Sequence, residues 1–274
     1  FKPCLGGSVF NFCIGAARQG LATAYLNPLS QDHFGRQFEF SLRDNQVEVR
    51  ADYTSQLPTA LAVVSLDANG KPTYAFHHGP VADRDIDVQS VIASLPNNVS
   101  LLHTGGLALV PEDVDKVMTV MRDVAQRGGV LSVDANLRPI ASNDLAAYRS
   151  GVLRALHHAH IIKVSDEDLH HLGFASDNLI ASAQKLFTDS AVEFIALTLG
   201  ENGAALITRA QVTQLSPPIN LAIKDTVGAG DCFQSGLIAY LERAGKLSPN
   251  AIKNIDEKIL FETLRHALSA ASIN

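Results

Sequence analysis

The stretch "DTVGAGDCFQSGLIAYL", residues 225–241, decides how the rest of the chain is interpreted. Small residues, Gly228, Ala229 and Gly230, stand directly before the acidic residue Asp231. Apolar residues then recur at helical spacing, at Phe233, Leu237 and Leu241. This spacing predicts a helix that begins near Gly230. Because the start of a helix leaves backbone N–H groups unpaired and carries partial positive charge, an anion fits there.

Two interpretations of Asp231 remain open from these residues alone. An acidic side chain in the first turn of a helix is favourable by ~0.3–1 kcal/mol without any function. The longer D-T-x-G-A-G-D run instead places two carboxylates around an anion site, so that one faces the ligand while the other orders the loop or binds a cation. Gly228 and Gly230 allow the tight turn and the close approach of the backbone that such a site requires.

Composition limits the class of protein. The chain has 274 residues, of which 46% are hydrophobic, so it can bury a sizeable core. The net charge of -6 argues against a nucleic-acid-binding surface. The three cysteines show no C-x-x-C spacing, which predicts neither a disulfide framework nor a zinc site and fits a cytoplasmic, reducing compartment. No apolar run approaches the ~20 residues that a membrane span requires, so we expect no membrane partner.

Strand-like apolar runs alternate with longer helical stretches through most of the chain. This alternation predicts an α/β fold with a mostly parallel central sheet and helices on both faces. Polar clusters follow the strands, where ligands bind in such sheets.

Two segments depart from this pattern. In residues 46–80, β-branched residues alternate with polar ones around the hairpin signal "DANGKP", which predicts a small β lid. Residues 205–216, "ALITRAQVTQLS", have no Gly, Asn or Asp at the expected bend, which suggests that residues are missing near 208–212.

Five motifs together resemble the ribokinase-like, or PfkB-type, carbohydrate kinases. Residues 225–241 resemble the C-terminal signature of that family, and "GGSVFNFCIGAARQG", residues 6–20, resembles its Gly-Gly-x-x-x-Asn signature. Three further landmarks follow in family order and spacing: "VDANLRP" (133–139), "IIKVSDEDL" (161–169) and "LTLGENGAAL" (197–206). The resemblance covers nearly the whole chain and is strongest to the fructokinase branch.

The resemblance implies one kinase domain over residues 1–274 with a three-layer ribokinase-like fold and a β lid over about 46–80. It also implies a strand ahead of Phe1 that ends in a sugar-holding Asp, and a C-terminal end that continues past the last residue. We therefore expect both ends to be missing from this sequence. Pairing of two copies through the lid strands is a further implication.

The implied activity is ATP-dependent phosphorylation of a sugar hydroxyl, with fructose as the substrate, Mg²⁺ as the metal and a monovalent cation as a further candidate. Alternatives in the same fold are ribokinase, 2-keto-3-deoxygluconate kinase or nucleoside kinase specificity, because pocket contacts set the substrate. A non-catalytic sugar- or nucleotide-binding regulator is another alternative, against which the intact D-T-x-G-A-G-D run argues. A nicotinamide dehydrogenase would require the glycine fingerprint G-x-G-x-x-G, which is absent.

The catalytic residues implied by the resemblance lie in residues 228–231. Asp231 would be the base for the sugar hydroxyl, and the backbone N–H groups of Gly228, Ala229 and Gly230 would hold the transferring phosphoryl group. We expect a low pKa for Asp231 because it lies at the positive end of a helix. Such a weak base need only accept the proton late in the loose transition state of phosphoryl transfer.

The implied substrate-binding residues are Gly7, Asn11, Phe76 and Arg138. Asn11 suits a polyol edge, or it bonds to backbone of its own helix. Arg138 would lie near the phosphates, or it forms a surface ion pair with Asp134 or Asp144.

Phe76, on a lid strand, either stacks on the sugar or packs within a half-buried sheet.

The implied nucleotide-binding residues are Lys163, Ser165, Thr198, Gly200, Asp225 and Thr226. Thr198 and Gly200 equally suit an ordinary tight turn. Asp168 stands where many family members have Glu, and its shorter side chain favours contact with Mg²⁺ through water. Asp168 alternatively caps the helix that begins in "SDEDL".

Overall fold

The computed structural model describes residues 3–66, 72–77, 79–217 and 227–272. Its strands are β1 (Ala24–Tyr25), β2 (Glu48–Val49), β3 (Leu61–Leu66), β4 (Pro72–His77), β5 (Leu101–Gly105), β6 (Val130–Asp134), β7 (Ile161–Ser165), β8 (Phe194–Thr198), β9 (Ala204–Thr208) and β10 (Val212–Leu215). Its α-helices are α1 (Ser8–Arg18), α2 (His33–Asp44), α3 (Val88–Ser94), α4 (Val114–Gln126), α5 (Leu145–His158), α6 (Asp166–Leu172), α7 (Leu179–Gln184), α8 (Ala229–Arg243), α9 (Pro249–Ile252) and α10 (Glu257–Ala271).

A central sheet runs in the order β10-β9-β8-β7-β6-β5. Strands β5 to β8 are parallel, whereas β9 and β10 are antiparallel to their neighbours. The mostly parallel sheet predicted from the sequence is therefore confirmed. At its carboxyl edge Asp134 is the register partner of both Gly105 and Lys163, and Ser165 is the partner of Thr198. The sheet thus brings residues from several sequence motifs side by side.

Helices cover both faces of the sheet, as the sequence predicts. On β7, the neighbouring residues Ile161 and Ile162 point into different cores because successive strand side chains alternate. Helices α4 to α7 pack on the Ile162 side, and α1, α8 and α10 pack on the Ile161 side. Among the described ranges, no helix combines the length and the apolar character needed to cross a membrane.

Strands β3 and β4 form a separate antiparallel hairpin, which is the predicted lid. The hairpin is narrower than the predicted range of 46–80, because Glu48 and Val49 pair in parallel with Ala24 and Tyr25 of β1 instead. Residues 67–71, which include most of the "DANGKP" signal, lie outside the described residues.

The β9–β10 hairpin closes without the additional residues that the sequence suggested near 208–212. The hydroxyl of Thr208 accepts hydrogen bonds from the backbone N–H groups of Ala210 and Gln211, at 3.3 Å and 3.2 Å. A threonine hydroxyl can support a turn in place of Asn or Asp. The absence of a typical turn residue at this bend therefore does not indicate a break.

A cavity of about 580 Å³ lies between the outer edge of β5 and strand β1. Its lining includes residues 100–104 and 23–27, with apolar side chains such as Phe12 and Val117 on either side. Among the described strands, only β6 pairs with β5. The prediction of a further strand ahead of Phe1 concerns this edge of the sheet, and it stays a prediction.

Candidate active site

Helix α8 begins at the turn for which the sequence predicts anion binding. Gly228 precedes the helix with φ 82, a left-handed conformation that favours glycine, and Ala229 is the first helical residue. The first N–H groups of α8 receive no side-chain cap in the described part of the chain. Asp231 lies in this first turn. Asp225 and Thr226 lie outside the described residues, so their implied nucleotide contacts stay predictions.

Close packing between α1 and α8 brings Asn11 to Asp231. A Cβ atom at Gly15 would lie 2.5 Å from the Oγ of Ser235, so the two helices approach closely because position 15 has no side chain. Asn11 lies one turn before Gly15, and Asp231 lies one turn before Ser235. The Nδ2 of Asn11 donates a hydrogen bond of 2.8 Å to Oδ2 of Asp231. Two residues 220 positions apart in sequence are thus joined at the site.

A buried chain of polar side chains fastens α8 to the sheet. The Nε2 of Gln234 donates to the Oγ of Ser132 at 3.0 Å, and that oxygen lies 2.9 Å from Nδ1 of His103. Burial, helped by the charge of Lys163, lowers the pKa of His103 to about 3, so the imidazole is neutral and its Nδ1 shares a hydrogen bond with the serine hydroxyl. His103 also stacks on Phe12, with ring centroids 3.8 Å apart.

The pKa of Asp231 differs from the sequence prediction. Burial raises it from 3.8 to about 6, and the negative charge of Asp134 adds to this effect. The hydrogen bond from Asn11 and the charges of Lys163 and Arg138 act in the opposite direction but do not cancel it. The prediction of a low pKa was wrong because it considered only the helix terminus and not the burial of the carboxylate. A general base with a pKa near the working pH is better matched to proton transfer.

Lys163 is held by Asp134 inside the protein. Its Nζ lies 3.0 Å and 2.9 Å from the two carboxylate oxygens, and both residues are buried. The charge of Lys163 also acts on Asp231, and that of Asp231 on Lys163. The ammonium group is therefore next to the candidate reaction centre but already paired, and its implied contact with the nucleotide stays a prediction.

Asp168 joins two loops at the carboxyl edge of the sheet. Its Oδ2 accepts from the backbone N–H and the hydroxyl of Ser165, both at 2.8 Å, and its Oδ1 accepts from the N–H of Leu137 at 2.8 Å. Ser165 in turn caps α6 by accepting from the N–H of Asp168, which completes a capping box. The capping alternative is therefore present, with Ser165 as the cap and Asp168 as its partner.

The described residues offer no protein cage for a metal ion: no group of three or more His, Cys, Asp or Glu side chains converges in them. Each oxygen of Asp168 already accepts a hydrogen bond. This arrangement fits Mg²⁺ that keeps most of its waters and is carried by nucleotide phosphates, with at most one carboxylate nearby.

The other predicted residues lie around the same edge of the sheet or on the lid. Arg138 follows β6 and is half-buried. Within the ranges that the structure describes it forms no ion pair, with neither Asp134 nor Asp144. Gly7 immediately precedes α1, and its backbone carbonyl accepts a hydrogen bond of 2.8 Å from the N–H of Asn11.

Thr198 ends β8, and Gly200, two residues later, has a positive φ of 56. Phe76 lies on β4 opposite Ala62 and is half-buried. The roles that the resemblance implies for these residues stay predictions.

Sequence reasoning missed Ser132 and Gln234, and it missed the pairing of Asp134 with Lys163. A signal for the ion pair was present, since each residue is a single charge near the end of an otherwise apolar strand. The two residues meet, however, only because β6 and β7 are neighbours in this register, and the sequence does not specify which strands become neighbours.

Comparison with known proteins identifies the family of this chain. Residues 2–273 match the pfkB family carbohydrate kinases. A fructokinase of Rhizobium leguminosarum bv. trifolii is 29% identical over 260 residues, which are 95% of this chain and 78% of that protein. A fructokinase of Salmonella typhimurium is 32% identical over 249 residues, which are 88% of this chain and 78% of that protein. The crystal structure of a Xylella fastidiosa fructokinase with bound ATP is similar with a TM-score of 0.85 and 23% identity, covering 100% of this chain and 84% of that chain. The chain belongs to the pfkB family of carbohydrate kinases.

Proposed function

We propose that this kinase transfers the γ-phosphoryl group of ATP to a primary hydroxyl of a sugar, with fructose as the acceptor and fructose 6-phosphate as the product. The observation that carries the proposal is the half-buried Asp231 at the start of α8, hydrogen-bonded to Asn11 and adjacent to backbone N–H groups that no described side chain caps. The choice of fructose is supported by the two related fructokinases.

Asp231 acts as the general base. As the sugar oxygen forms a bond to the γ-phosphorus, the bond from that phosphorus to the β,γ-bridging oxygen breaks and ADP leaves. The hydroxyl proton passes to the Asp231 carboxylate, which later releases it to water. With a pKa of about 6, this carboxylate is ionised at neutral pH and still basic enough to take the proton.

The turn at residues 228–230 stabilises the charge on the transferring group. Backbone N–H groups at a helix start bind anions without any side chain, and such fixed donors supply much of the catalysis in phosphoryl transfer. Arg138 lies close enough for its charge to act on Asp231, so a guanidinium is available for the nucleotide phosphates at the same edge. Mg²⁺, when carried by those phosphates, neutralises part of their charge.

A coupled assay of ADP release tests the activity. Wild-type protein is incubated with ATP, Mg²⁺ and either fructose, ribose, tagatose, 2-keto-3-deoxygluconate or adenosine. We expect the highest kcat/KM with fructose and no turnover after chelation of Mg²⁺. A higher kcat/KM with another acceptor would move the specificity to that branch of the family. Absence of turnover with the whole panel would contradict the proposal and favour a non-catalytic binding protein.

A substitution of the base links the activity to the site. Asp231→Asn preserves the size of the side chain and an acceptor for Asn11, and it should lower kcat by ~10²–10⁴. Asp177→Asn removes an exposed carboxylate outside the site and serves as the matched control. A kcat near the wild-type value in Asp231→Asn would exclude this residue as the base.

Pairing of two copies through the lid belongs to the same proposal. The lid strand β3 exposes Leu61 (48%), Val63 (39%) and Val64 (47%). Since Val63 and Val64 point to opposite faces of the hairpin, one face is available for a partner while the other faces a ligand. A two-stranded hairpin is marginally stable alone, so a second copy would stabilise it.

Sedimentation velocity tests this pairing. Wild-type protein should sediment as a dimer, and Val63→Lys with Val64→Lys should shift it to the monomer. Val212→Lys, at an exposed position of β10, is the control and should remain dimeric. A wild-type monomer at all concentrations would contradict the pairing.

A cytoplasmic location is the last part of the proposal. None of Cys4, Cys13 and Cys232 forms a disulfide bond, which fits a reducing compartment. Cell fractionation with an antibody to the protein tests this location.

A further inference from the structure

Asp134 and Lys163 form an ion pair inside the protein, beneath the start of α8. They are register partners at the ends of β6 and β7, and the ammonium group contacts both carboxylate oxygens of Asp134 at 3.0 Å and 2.9 Å. Only 2% of Asp134 and 5% of Lys163 is exposed. Removing two charges from water is costly, and apolar residues of similar volume often stabilise a fold as well or better. Fold stability alone therefore gives little reason for a charged pair at this position.

The Lys163 side chain packs against the turn that begins α8. A Cβ atom at Gly230 would lie 3.2 Å from Nζ and 3.3 Å from Cε of Lys163. An ammonium group has three N–H donors, of which Asp134 takes two, and within the described residues the third has no acceptor. The ammonium group thus lies against the backbone of the turn at residues 228–230 from the sheet side, and a side chain at position 230 would have to displace the end of Lys163 by a few tenths of an ångström.

The charged and polar groups that face Asp231 come from separate elements. Asn11 approaches from α1, Asp134 from β6, Lys163 from β7 and Arg138 from the loop after β6. Burial is the largest influence and raises the pKa of Asp231, Asp134 raises it further, and the other three groups lower it. The two members of the ion pair therefore act on the pKa of Asp231 in opposite directions, so each partly offsets the effect of the other.

We propose that Asp134 and Lys163 are positioning residues of the phosphoryl-transfer centre: together they fix the first turn of α8 above the sheet and balance the charge around Asp231. This inference rests on the proposed kinase function. Neither residue needs to touch the sugar or the nucleotide, because both act through Gly230 and Asp231. A purely structural ion pair would affect unfolding but not the pH dependence of catalysis.

The double variant Asp134→Asn with Lys163→Met is the main test, because it removes both charges and leaves neither one unpaired in the interior. We expect it to fold with nearly the wild-type urea midpoint. We expect its kcat to fall by about 10²-fold, the size of loss that a small misplacement of catalytic groups produces. The KM for fructose should change much less than kcat, since the sugar-binding residues are retained.

The single variants test the pH dependence of kcat/KM, which a purely structural ion pair would not change. Lys163→Met removes a charge that lowers the pKa of Asp231, so the acidic limb of kcat/KM should shift to higher pH. Asp134→Asn removes a charge that raises it, so the limb should shift to lower pH. If either single variant fails to fold, the double variant still decides the question.

Hydrogen exchange measured by mass spectrometry tests the positioning without any activity. Peptides that cover residues 227–235 should exchange faster in the double variant than in the wild type, whereas peptides from α10 should not change. This result would stand even if the wild-type protein phosphorylated none of the five acceptors, so failure of the inference and failure of the proposed function are distinguishable.

A surface ion pair offers a matched control. Arg154 and Asp115 are joined at 2.6 Å, but their side chains are 50% and 82% exposed. Arg154→Met with Asp115→Asn likewise removes one positive and one negative charge, and it should leave kcat, the pH profile and the exchange of residues 227–235 unchanged. The inference is overturned if the folded Asp134→Asn, Lys163→Met variant shows wild-type kcat and wild-type exchange at the start of α8.

Discussion

Replacing Asp231 by Asn should stabilise the protein at neutral and alkaline pH. In the folded protein burial raises the pKa of this carboxyl from 3.8 to about 6. The folded state therefore holds the proton more tightly than the unfolded chain, and its stability falls as the pH rises from about 4 to about 6. The amide of the Asp231→Asn variant would carry no charge and would remove this penalty, while its oxygen could still accept from Asn11. The expected effect is thus opposite to that of most substitutions in a packed site.

The pKa shift sets the size of the effect. A change from 3.8 to about 6 is roughly 2 pKa units. Each unit corresponds to ~1.36 kcal/mol, so Asp231→Asn should raise the free energy of unfolding by up to about 3 kcal/mol above pH 7. At pH 5 the folded carboxyl is mostly protonated, and the gain should fall to roughly half of that value. Below pH 4 both states bind the proton and the gain should disappear.

Urea unfolding at pH 5 and pH 8 measures this difference. Wild type, Asp231→Asn and the control Asp177→Asn are compared by circular dichroism. The dependence of the unfolding free energy on urea concentration should be the same in all three proteins. We expect a gain at pH 8 that shrinks at pH 5 for Asp231→Asn, and no gain at either pH for the control. A gain independent of pH, or a loss of stability at pH 8, would refute the argument that burial controls this carboxyl.

Two further substitutions test the carboxyl edge of the sheet. Asp168→Asn replaces an acceptor oxygen by an amide NH2 group, which cannot accept, where the carboxylate accepts from Ser165 and Leu137. It should therefore lower the free energy of unfolding by about 1–3 kcal/mol in urea titrations. Gly105→Ala would place a Cβ atom 2.1 Å from the backbone oxygen of Asp134, so β5 and β6 must separate there and the thermal midpoint should fall clearly. An unchanged midpoint in Gly105→Ala would show that the strands can separate at little cost.

The fold was predictable because its signals are local. The apolar spacing that begins at Phe233 predicts a helix from about Gly230, and the helix begins at Ala229. At the end of α1 a similar local signal is present, since the helix ends at Arg18 and a left-handed Gly20 follows shortly after. Alternating strands and helices predict a mostly parallel sheet whichever strands become neighbours.

The lid boundary was less predictable, because it depends on which strands pair and not on a local signal. Glu48 and Val49 have the strand-like composition of the lid, yet they pair with β1. Composition predicts that a segment is extended, but the choice of its partner depends on tertiary contacts.

For the candidate site, the sequence indicated residues but not the interactions between them. The motifs drew attention to Asn11 and Asp231, and the structure brings the two together, although nothing in the sequence indicated the hydrogen bond that joins them. That contact depends on Gly15, whose missing side chain lets α1 approach α8 near Ser235. Such a contact requires the crossing of two helices, which a single sequence does not specify.

The error in the pKa of Asp231 has a physical cause that bears on function. A helix start favours the ionised carboxylate by a few tenths of a kcal/mol to about 1 kcal/mol, and this was the only effect visible in the sequence. Burial at the carboxyl edge of the sheet outweighs it, although Asn11, Lys163 and Arg138 all favour ionisation. A fully exposed carboxylate would be a weaker base, and one buried without these partners would keep its proton to a higher pH. The site therefore combines burial, which raises basicity, with enough positive charge to keep Asp231 ionised, and it accepts a loss of stability for that balance.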